Sequence, residues 1–85
     1  MDRNPHTRTR KLLRDLLVQA RNDAGLRQQD VADRLKKPQS FVSKYESGER
    51  RIDVAELHEI CKALGIRAST LMARFEQSLG KSKVD

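Results

Sequence analysis

Four polar side chains capable of hydrogen bonding lie within six consecutive residues of this sequence: Gln39, Ser40, Ser43 and Lys44. On a helix with 3.6 residues per turn they share one face, and the apolar Val42 and Tyr45 lie on the other. Amides and hydroxyls donate and accept hydrogen bonds, whereas an ammonium group only donates. This face could therefore recognise a polar partner, or it could be an ordinary solvated surface.

Residues suited to catalysis or metal binding are sparse. His58 and Cys61 are three residues apart, but no third or fourth metal ligand lies nearby. We interpret Cys61 as a small core residue and His58 as a surface side chain. The sequence has no nucleophile with a base and an orienting partner, no phosphate-binding loop and no paired carboxylates. We expect neither an enzyme nor a metal or cofactor site.

The composition is typical of one small basic domain. The 85 residues are 36% hydrophobic and 35% charged, which suits a modest core but not a large enclosed substrate cavity. The net charge of +6 and the isoelectric point near 10.0 indicate a phosphate-bearing partner, either nucleic acid or a membrane surface. The single cysteine excludes an internal disulfide.

No segment approaches the ~18 apolar residues that span a membrane. The N-terminal residues also lack the apolar core of a secretory signal. We therefore expect a cytoplasmic protein. We expect no membrane-surface partner either, because that predicts a helix with Lys and Arg along one side and a wide apolar face opposite, and the helix that carries Gln39, Ser40 and Ser43 does not fit.

Apolar residues at helical spacing predict five helices, and strand signals are absent, so the predicted fold class is all-α. The first helix is expected to begin at about Thr9 and to be closed by Gly25. The second is predicted from Gln28 to Leu35. The third follows a short turn and starts with Pro38 as its first residue, ending at Ser47.

The fourth helix has the clearest start signal. Asp53 and Glu56 form a capping-box pattern, and Ile52 and Leu57 form the matching hydrophobic staple. Its predicted inward residues are Val54, Leu57, Ile60, Cys61 and Leu64. The fifth helix is predicted over about 67–79, ended by Gly80, with one apolar side formed by Ala68, Leu71, Met72, Phe75 and Leu79.

These elements divide the chain into three parts. Residues 1–9 are predicted to be a flexible basic arm, either merely solvated or following a phosphate backbone. Residues 10–80 form the helical domain, whose last helix could support dimerisation, and residues 81–85 form a polar tail.

The segment from Leu26 to Ile66, LRQQDVADRLKKPQSFVSKYESGERRIDVAELHEICKALGI, resembles the helix-turn-helix domain of the phage repressor and Cro family, also called the XRE family. The resemblance implies a compact five-helix bundle of the lambda-repressor-like type, with the helix-turn-helix at helices two and three. It also implies that helix three, about residues 39–46, is the recognition helix in the major groove of double-stranded DNA.

On that mapping, Gln39, Ser40, Ser43 and Lys44 are the residues expected to read bases. Gln39 can bond bidentately to adenine, and Lys44 can donate to guanine O6 and N7.

The resemblance also implies phosphate contacts and one structural ion pair. Gln28 matches the family glutamine that meets a phosphate at the start of helix two. Lys37, Arg50 and Arg51 are further candidates, each with ordinary surface charge as the alternative. Arg21 is expected to pair with Glu46 and to present its guanidinium edge to a phosphate, unless the pair is exposed and weak.

Two residues depart from the family pattern, and a third, Phe41, is unusual for its place on helix three. Arg27 stands at an N-cap position where relatives carry Ser or Thr, and Lys36 stands where they carry Gly, so its turn should be strained. Phe41 is expected at the edge of helix three, either covering a thymine methyl or folding back over the turn near Pro38. We favour packing for Phe41.

The sequence therefore predicts a transcriptional regulator that binds an inverted-repeat operator as a homodimer. The expected dimer interface on helix five comprises Met72, Phe75 and Leu79, although this helix could instead only pack on the core. The alternative function is that of an antitoxin or adaptor whose main role is binding a partner protein.

Overall fold

Helices make up all the regular secondary structure in the part of the chain that the computed structural model describes, residues 5–81, with side chains described for 7–80. The helices are α1 (Pro5–Asp23), α2 (Gln28–Leu35), α3 (Gln39–Ser47), α4 (Val54–Leu64) and α5 (Ala68–Lys81). The predicted all-α, five-helix class is confirmed. Within residues 5–81 no helix is both long and apolar enough to cross a membrane.

The outer ends of the first and last helices differ from the prediction. Helix α1 begins at Pro5, not at about Thr9, because proline is compatible with the first turn of a helix. Helix α5 continues through Gly80 to Lys81, so the predicted stop at Gly80 is wrong. Of the predicted arm and tail, residues 1–4 and 82–85 lie outside the described residues.

The core lies where the inner faces of the five helices meet. Helix α1 packs on α3 and α5, while α2 packs on α3 and α4. Ala32 is fully buried, and a small side chain at this position allows the α2 and α3 backbones to approach closely. The buried core residues are Leu17, Ala20, Val31, Ala32, Val42, Tyr45, Ile60, Cys61, Ala63, Leu64 and Leu71.

The N-terminus of α4 has the predicted cap but one wrongly predicted core residue. Asp53 accepts a hydrogen bond from the Glu56 backbone at 2.7 Å, and the Glu56 carboxylate accepts one from the Asp53 backbone at 3.1 Å. Ile52 and Leu57 pack against the core. Val54, predicted to face inward, is 83% exposed. Because Ile52 supplies the apolar contact at this end of the helix, Val54 in the first turn is left outside.

The turn between α2 and α3 is strained as predicted. Lys36 has φ 58° and ψ 44°, and it is the only non-glycine residue with positive φ among residues 5–81. This conformation costs a residue with a Cβ roughly 1 kcal/mol. Pro38 is the N-cap of α3 and not its first helical residue, because its extended ψ of 155° places it just before the helix.

Candidate nucleic-acid interface

The outer face of α3 is polar and open. Gln39, Ser40, Ser43 and Lys44 are all exposed, while Val42 and Tyr45 on the inner face are 0% and 1% exposed. The two buried residues fix the rotation of the helix about its own axis. The four polar side chains therefore lie together on one accessible surface.

An ion pair fixes α3 to the end of α1. Arg21 Nε donates to Glu46 Oε2 at 2.7 Å, and Arg21 Nη2 donates to Glu46 Oε1 at 3.1 Å. Arg21 Nη1 also donates to the carbonyl of Leu26 at 2.9 Å. The side chains are only 14% and 7% exposed, so this pair differs from a weak surface contact. Every nitrogen of the guanidinium has a protein partner, which leaves Arg21 better suited to positioning α3 than to holding a phosphate.

Two glutamines extend this ion pair to the exposed face. Gln28 Nε2 donates to Glu46 Oε1 at 2.8 Å, and Gln39 Nε2 donates to Gln28 Oε1 at 3.2 Å. A continuous set of hydrogen bonds therefore links Arg21, Glu46, Gln28 and Gln39. The hydrogen bond to Gln28 holds the Gln39 side chain in one orientation, and the bond from Gln28 to Glu46 places Gln28 beside the exposed face of α3.

The N-terminus of α2 compensates for its missing Ser or Thr cap. The Asp30 carboxylate accepts a 2.8 Å hydrogen bond from the Arg27 backbone and is bridged by the Arg27 guanidinium at 2.8 and 3.1 Å. The Arg27 side chain, followed by its backbone N–H, lowers the pKa of Asp30 to about 2. This interaction was not predicted, because arginine cannot accept a hydrogen bond and so does not look like a cap.

Phe41 packs against other residues of the protein, as we expected in preference to a contact with a thymine methyl. Its ring meets Tyr45 edge-on with centroids 5.6 Å apart, and Lys37 Nζ and Arg50 Cζ lie 5.5 and 4.6 Å from its centroid. The ring is half-buried between the start of α3 and the loop before α4.

Arg50, predicted to contact phosphate, is occupied by protein groups. Its guanidinium bridges the Glu56 carboxylate at 2.9 and 2.6 Å and also donates to the Arg51 carbonyl. Arg50 lowers the pKa of Glu56 to about 2, helped by the Asp53 backbone. Arg50 therefore joins the loop to α4, while Arg51 and Lys37 are exposed.

Two arginines on α1 that sequence reasoning missed lie near this loop. Arg10 and Arg14 line a cleft of about 200 Å³ together with Gly48, Arg50 and Arg51. Their spacing of four residues places them on one face of α1. Only the tertiary packing of α1 against α3 shows which loop they meet.

Helix α5 exposes part of its apolar side. Leu71 is buried in the core, Met72 is 38% exposed, and Phe75 and Leu79 are half-buried.

Cys61 and His58 lie in different environments. Cys61 is buried in the core, and burial raises the pKa of its thiol. His58 is exposed, and the side chains described contain no group of three potential metal ligands.

The same helical arrangement occurs in known proteins. A family model described as Helix-turn-helix matches residues 17–71. An XRE-family like protein from Pseudomonas syringae pv. tomato str. DC3000 is 42% identical, with a TM-score of 0.82, and the match covers 86% of this chain and 89% of that chain.

Two more distant structures share the fold. The clp gene regulator ClgR from C. glutamicum has 22% identity and a TM-score of 0.74, covering 84% of this chain and 92% of that chain. A mutant of the restriction-modification controller protein C.Esp1396I has 19% identity and a TM-score of 0.79, and the match covers 87% of this chain and 94% of that chain. No curated protein sequence matches the chain.

Proposed function

Because the chain belongs to the XRE family of helix-turn-helix DNA-binding regulators, we propose that it regulates transcription by reading a specific duplex sequence with α3. The observation that carries this proposal is the exposed polar face of α3, which is held by a buried inner face and by the Arg21–Glu46 pair. A rigid helix presenting several donors and acceptors is what direct readout in the major groove requires.

Base reading is assigned to Gln39, Ser40, Ser43 and Lys44. Gln39 is the leading candidate for adenine, because its amide can bond bidentately to N6 and N7. Its hydrogen bond to Gln28 uses one amide proton and leaves the carbonyl oxygen and the other proton available. Lys44 is the candidate for guanine.

Phosphate contacts are assigned to Gln28, Lys37 and Arg51. Gln28 stands at the first residue of α2, where the free backbone N–H groups and the helix dipole favour an anion. Lys37 precedes α3 and Arg51 follows it, and both are exposed. Arg21 and Arg50 support these contacts by holding α3 and the following loop in place.

The test compares sequence discrimination before and after removal of base-reading groups. A randomised duplex library selected with the wild-type chain should yield an inverted repeat. The double variant Gln39→Ala, Lys44→Ala should lose most of this preference, with each lost bidentate pair costing about 1–3 kcal/mol of discrimination. Its salt-sensitive affinity for unrelated DNA should remain.

A matched control removes the same residue types elsewhere. Lys62 and Gln77 are exposed on α4 and α5, and the double variant Lys62→Ala, Gln77→Ala should select the same sequence as the wild type. Undiminished discrimination in the α3 variant would show that α3 is not the recognition helix.

The proposed regulator acts as a homodimer. One recognition helix reads only a few base pairs, and two copies about 34 Å apart can read two half-sites on one face of the duplex. The partly exposed apolar side of α5, formed by exposed Met72 and half-buried Phe75 and Leu79, is the proposed contact between the copies.

A further inference from the structure

Four arginines line one cleft at the far end of α3. Arg10 and Arg14 come from α1, and Arg50 and Arg51 come from the loop after α3. Tyr45 and Ile52 also line this space, hereafter the arginine cleft, whose volume is about 200 Å³. One water accounts for roughly 30 Å³ of liquid, so the cleft has room for a small oxyanion.

The guanidinium of Arg14 lies against Gly48. A Cβ placed on Gly48 would lie 2.9 Å from Arg14 Cζ and 3.1 Å from Nη1. The guanidinium therefore packs directly against the backbone at the end of α3. This contact holds a charged group on the rim of the cleft although no carboxylate is involved.

Three of the four arginines that line the cleft have no acidic partner within the described part of the chain. Arg21, Arg27 and Arg50 each form an ion pair with an acidic side chain. Arg10, Arg14 and Arg51 form none there. Guanidinium groups stay charged at all ordinary pH values, so three of them around one space repel each other unless an anion lies between them.

The location of the cleft indicates which anion fits. Helix α3 has nine residues and is therefore about 13 Å long, close to the roughly 12 Å width of the major groove. If the first turns of α3 read bases, its C-terminal end lies near the phosphates that border the groove. The arginine fork matches phosphate geometry.

We propose that the arginine cleft holds one phosphodiester group of bound duplex DNA through Arg10, Arg14 and Arg51. This proposal rests on the proposed function, since it requires α3 to be inserted in the major groove. It extends the DNA contact surface to the N-terminal half of α1, and it gives two adjacent arginines different tasks. Arg50 holds Glu56, whereas Arg51 holds DNA.

The experiment measures how affinity for an arbitrary duplex of about 20 base pairs depends on salt. The double variant Arg10→Gln, Arg14→Gln should bind about tenfold more weakly at low salt. The slope of log K against log salt should become shallower by about 0.9, the value for one phosphate. The loss should be the same for every DNA sequence, since a phosphate contact carries no base information.

A matched control removes two positive charges away from the cleft. Lys62 and Arg67 are exposed at the end of α4 and just before α5, and the double variant Lys62→Gln, Arg67→Gln should retain the wild-type slope. If the cleft variant and the control variant had the same affinity and the same slope of log K against log salt, while the wild-type chain still bound duplex DNA, the cleft proposal alone would be overturned. Failure of the wild-type chain to bind any duplex would overturn the proposed function and the cleft proposal together.

A second variant distinguishes a loss of DNA binding from a loss of folding. Arg51→Gln alters an exposed loop side chain and should reproduce the loss without changing the thermal unfolding midpoint. The triple variant Arg10→Gln, Arg14→Gln, Arg51→Gln should lose little more affinity than the double variant, because the effects of groups that share one phosphate are not additive. Fully additive losses would contradict a shared phosphate.

A titration with inorganic phosphate distinguishes a DNA phosphate from a free anion. The side-chain N–H signals of Arg14 should shift without saturating below about 1 mM phosphate. Saturation below that concentration, abolished by Arg51→Gln, would assign the cleft to a small soluble oxyanion and overturn the phosphodiester assignment.

Discussion

Lys36 carries a backbone conformation that glycine adopts at lower cost. Its φ of 58° lies in the left-handed region, so Lys36→Gly should relieve strain and raise the free energy of unfolding by up to about 1 kcal/mol. Denaturant unfolding measures the change. Lys37→Gly provides the control, because Lys37 has no positive φ and glycine there should not stabilise the protein. Equal effects of the two changes would contradict the strain.

Glu46 is expected to matter more for stability than an exposed carboxylate does. Glu46→Gln leaves a largely buried Arg21 without its charged partner, and we expect a loss of about 2 kcal/mol, between the values for exposed and fully buried pairs. Asp15→Asn breaks the exposed Lys11–Asp15 pair at 2.9 Å and should cost less than about 0.5 kcal/mol. If thermal unfolding showed similar losses of unfolding free energy in the two variants, burial would add nothing to the stabilisation from the Arg21–Glu46 pair.

The residue types were more predictable than their individual tasks. The strain at Lys36 was predicted from the family resemblance, because relatives carry glycine there and a residue with a Cβ adopts the same turn conformation only at a cost. The pairing of Arg50 with Glu56 was not predicted, because the path of the loop decides whether Arg50 or Arg51 reaches that carboxylate. Arg10 and Arg14 were missed for a related reason. Their partner segment lies more than 30 residues away in the chain.

At the level of elements, the N-terminus of α4 should make stability depend on pH. The pKa of Glu56 falls from its ordinary 4.5 to about 2 in the folded chain, first through Arg50 and then through the Asp53 backbone. A carboxylate with a lowered folded pKa stabilises the protein above its unfolded pKa, and this contribution disappears as the pH falls through the folded value. Glu56→Gln should therefore reduce the decline of the melting temperature between about pH 5 and pH 2.

Two other carboxylates calibrate this measurement. Asp30 has a pKa lowered to about 2, so part of the acid sensitivity should persist in Glu56→Gln. Glu76 is exposed on α5, and Glu76→Gln should keep the wild-type decline. A Glu56→Gln variant as acid-sensitive as the wild type would exclude a stabilising role for the Arg50–Glu56 pair.

Element boundaries were predictable where a local signal ends or starts a helix. Asp53 and Glu56 mark the start of α4 because their hydrogen bonds involve only neighbouring residues. Gly80 was misassigned because a glycine stops a helix only where the chain must turn, and α5 continues past it. Val54 was misassigned because burial depends on neighbouring elements and not on helical period alone.

For the whole molecule, dimerisation through α5 predicts that stability depends on protein concentration. The melting temperature should rise from about 1 to about 100 µM chain, because association stabilises the folded state by mass action. Met72→Glu places a charge on the proposed interface and should abolish this dependence. Sedimentation should show the wild type as a dimer and the variant as a monomer.

Thr70→Glu is the matched control for this change. Thr70 is exposed two residues before Met72, on nearly the opposite side of the helix, so the variant should remain dimeric. A wild-type chain that stays monomeric would contradict the homodimer. Co-purification of a stoichiometric partner protein on α5 would favour the antitoxin or adaptor alternative.

The contact between Gly48 and Arg14 ties the rim of the arginine cleft to the backbone of one residue. Gly48 has φ 91°, a conformation that residues with a Cβ adopt only with strain, although asparagine adopts positive φ more often than most. An added Cβ would also meet the Arg14 guanidinium, which is the end of a flexible side chain and can swing aside. Any residue other than glycine at position 48 should therefore displace Arg14 from the end of α3, while the fold still accepts an arginine at position 14.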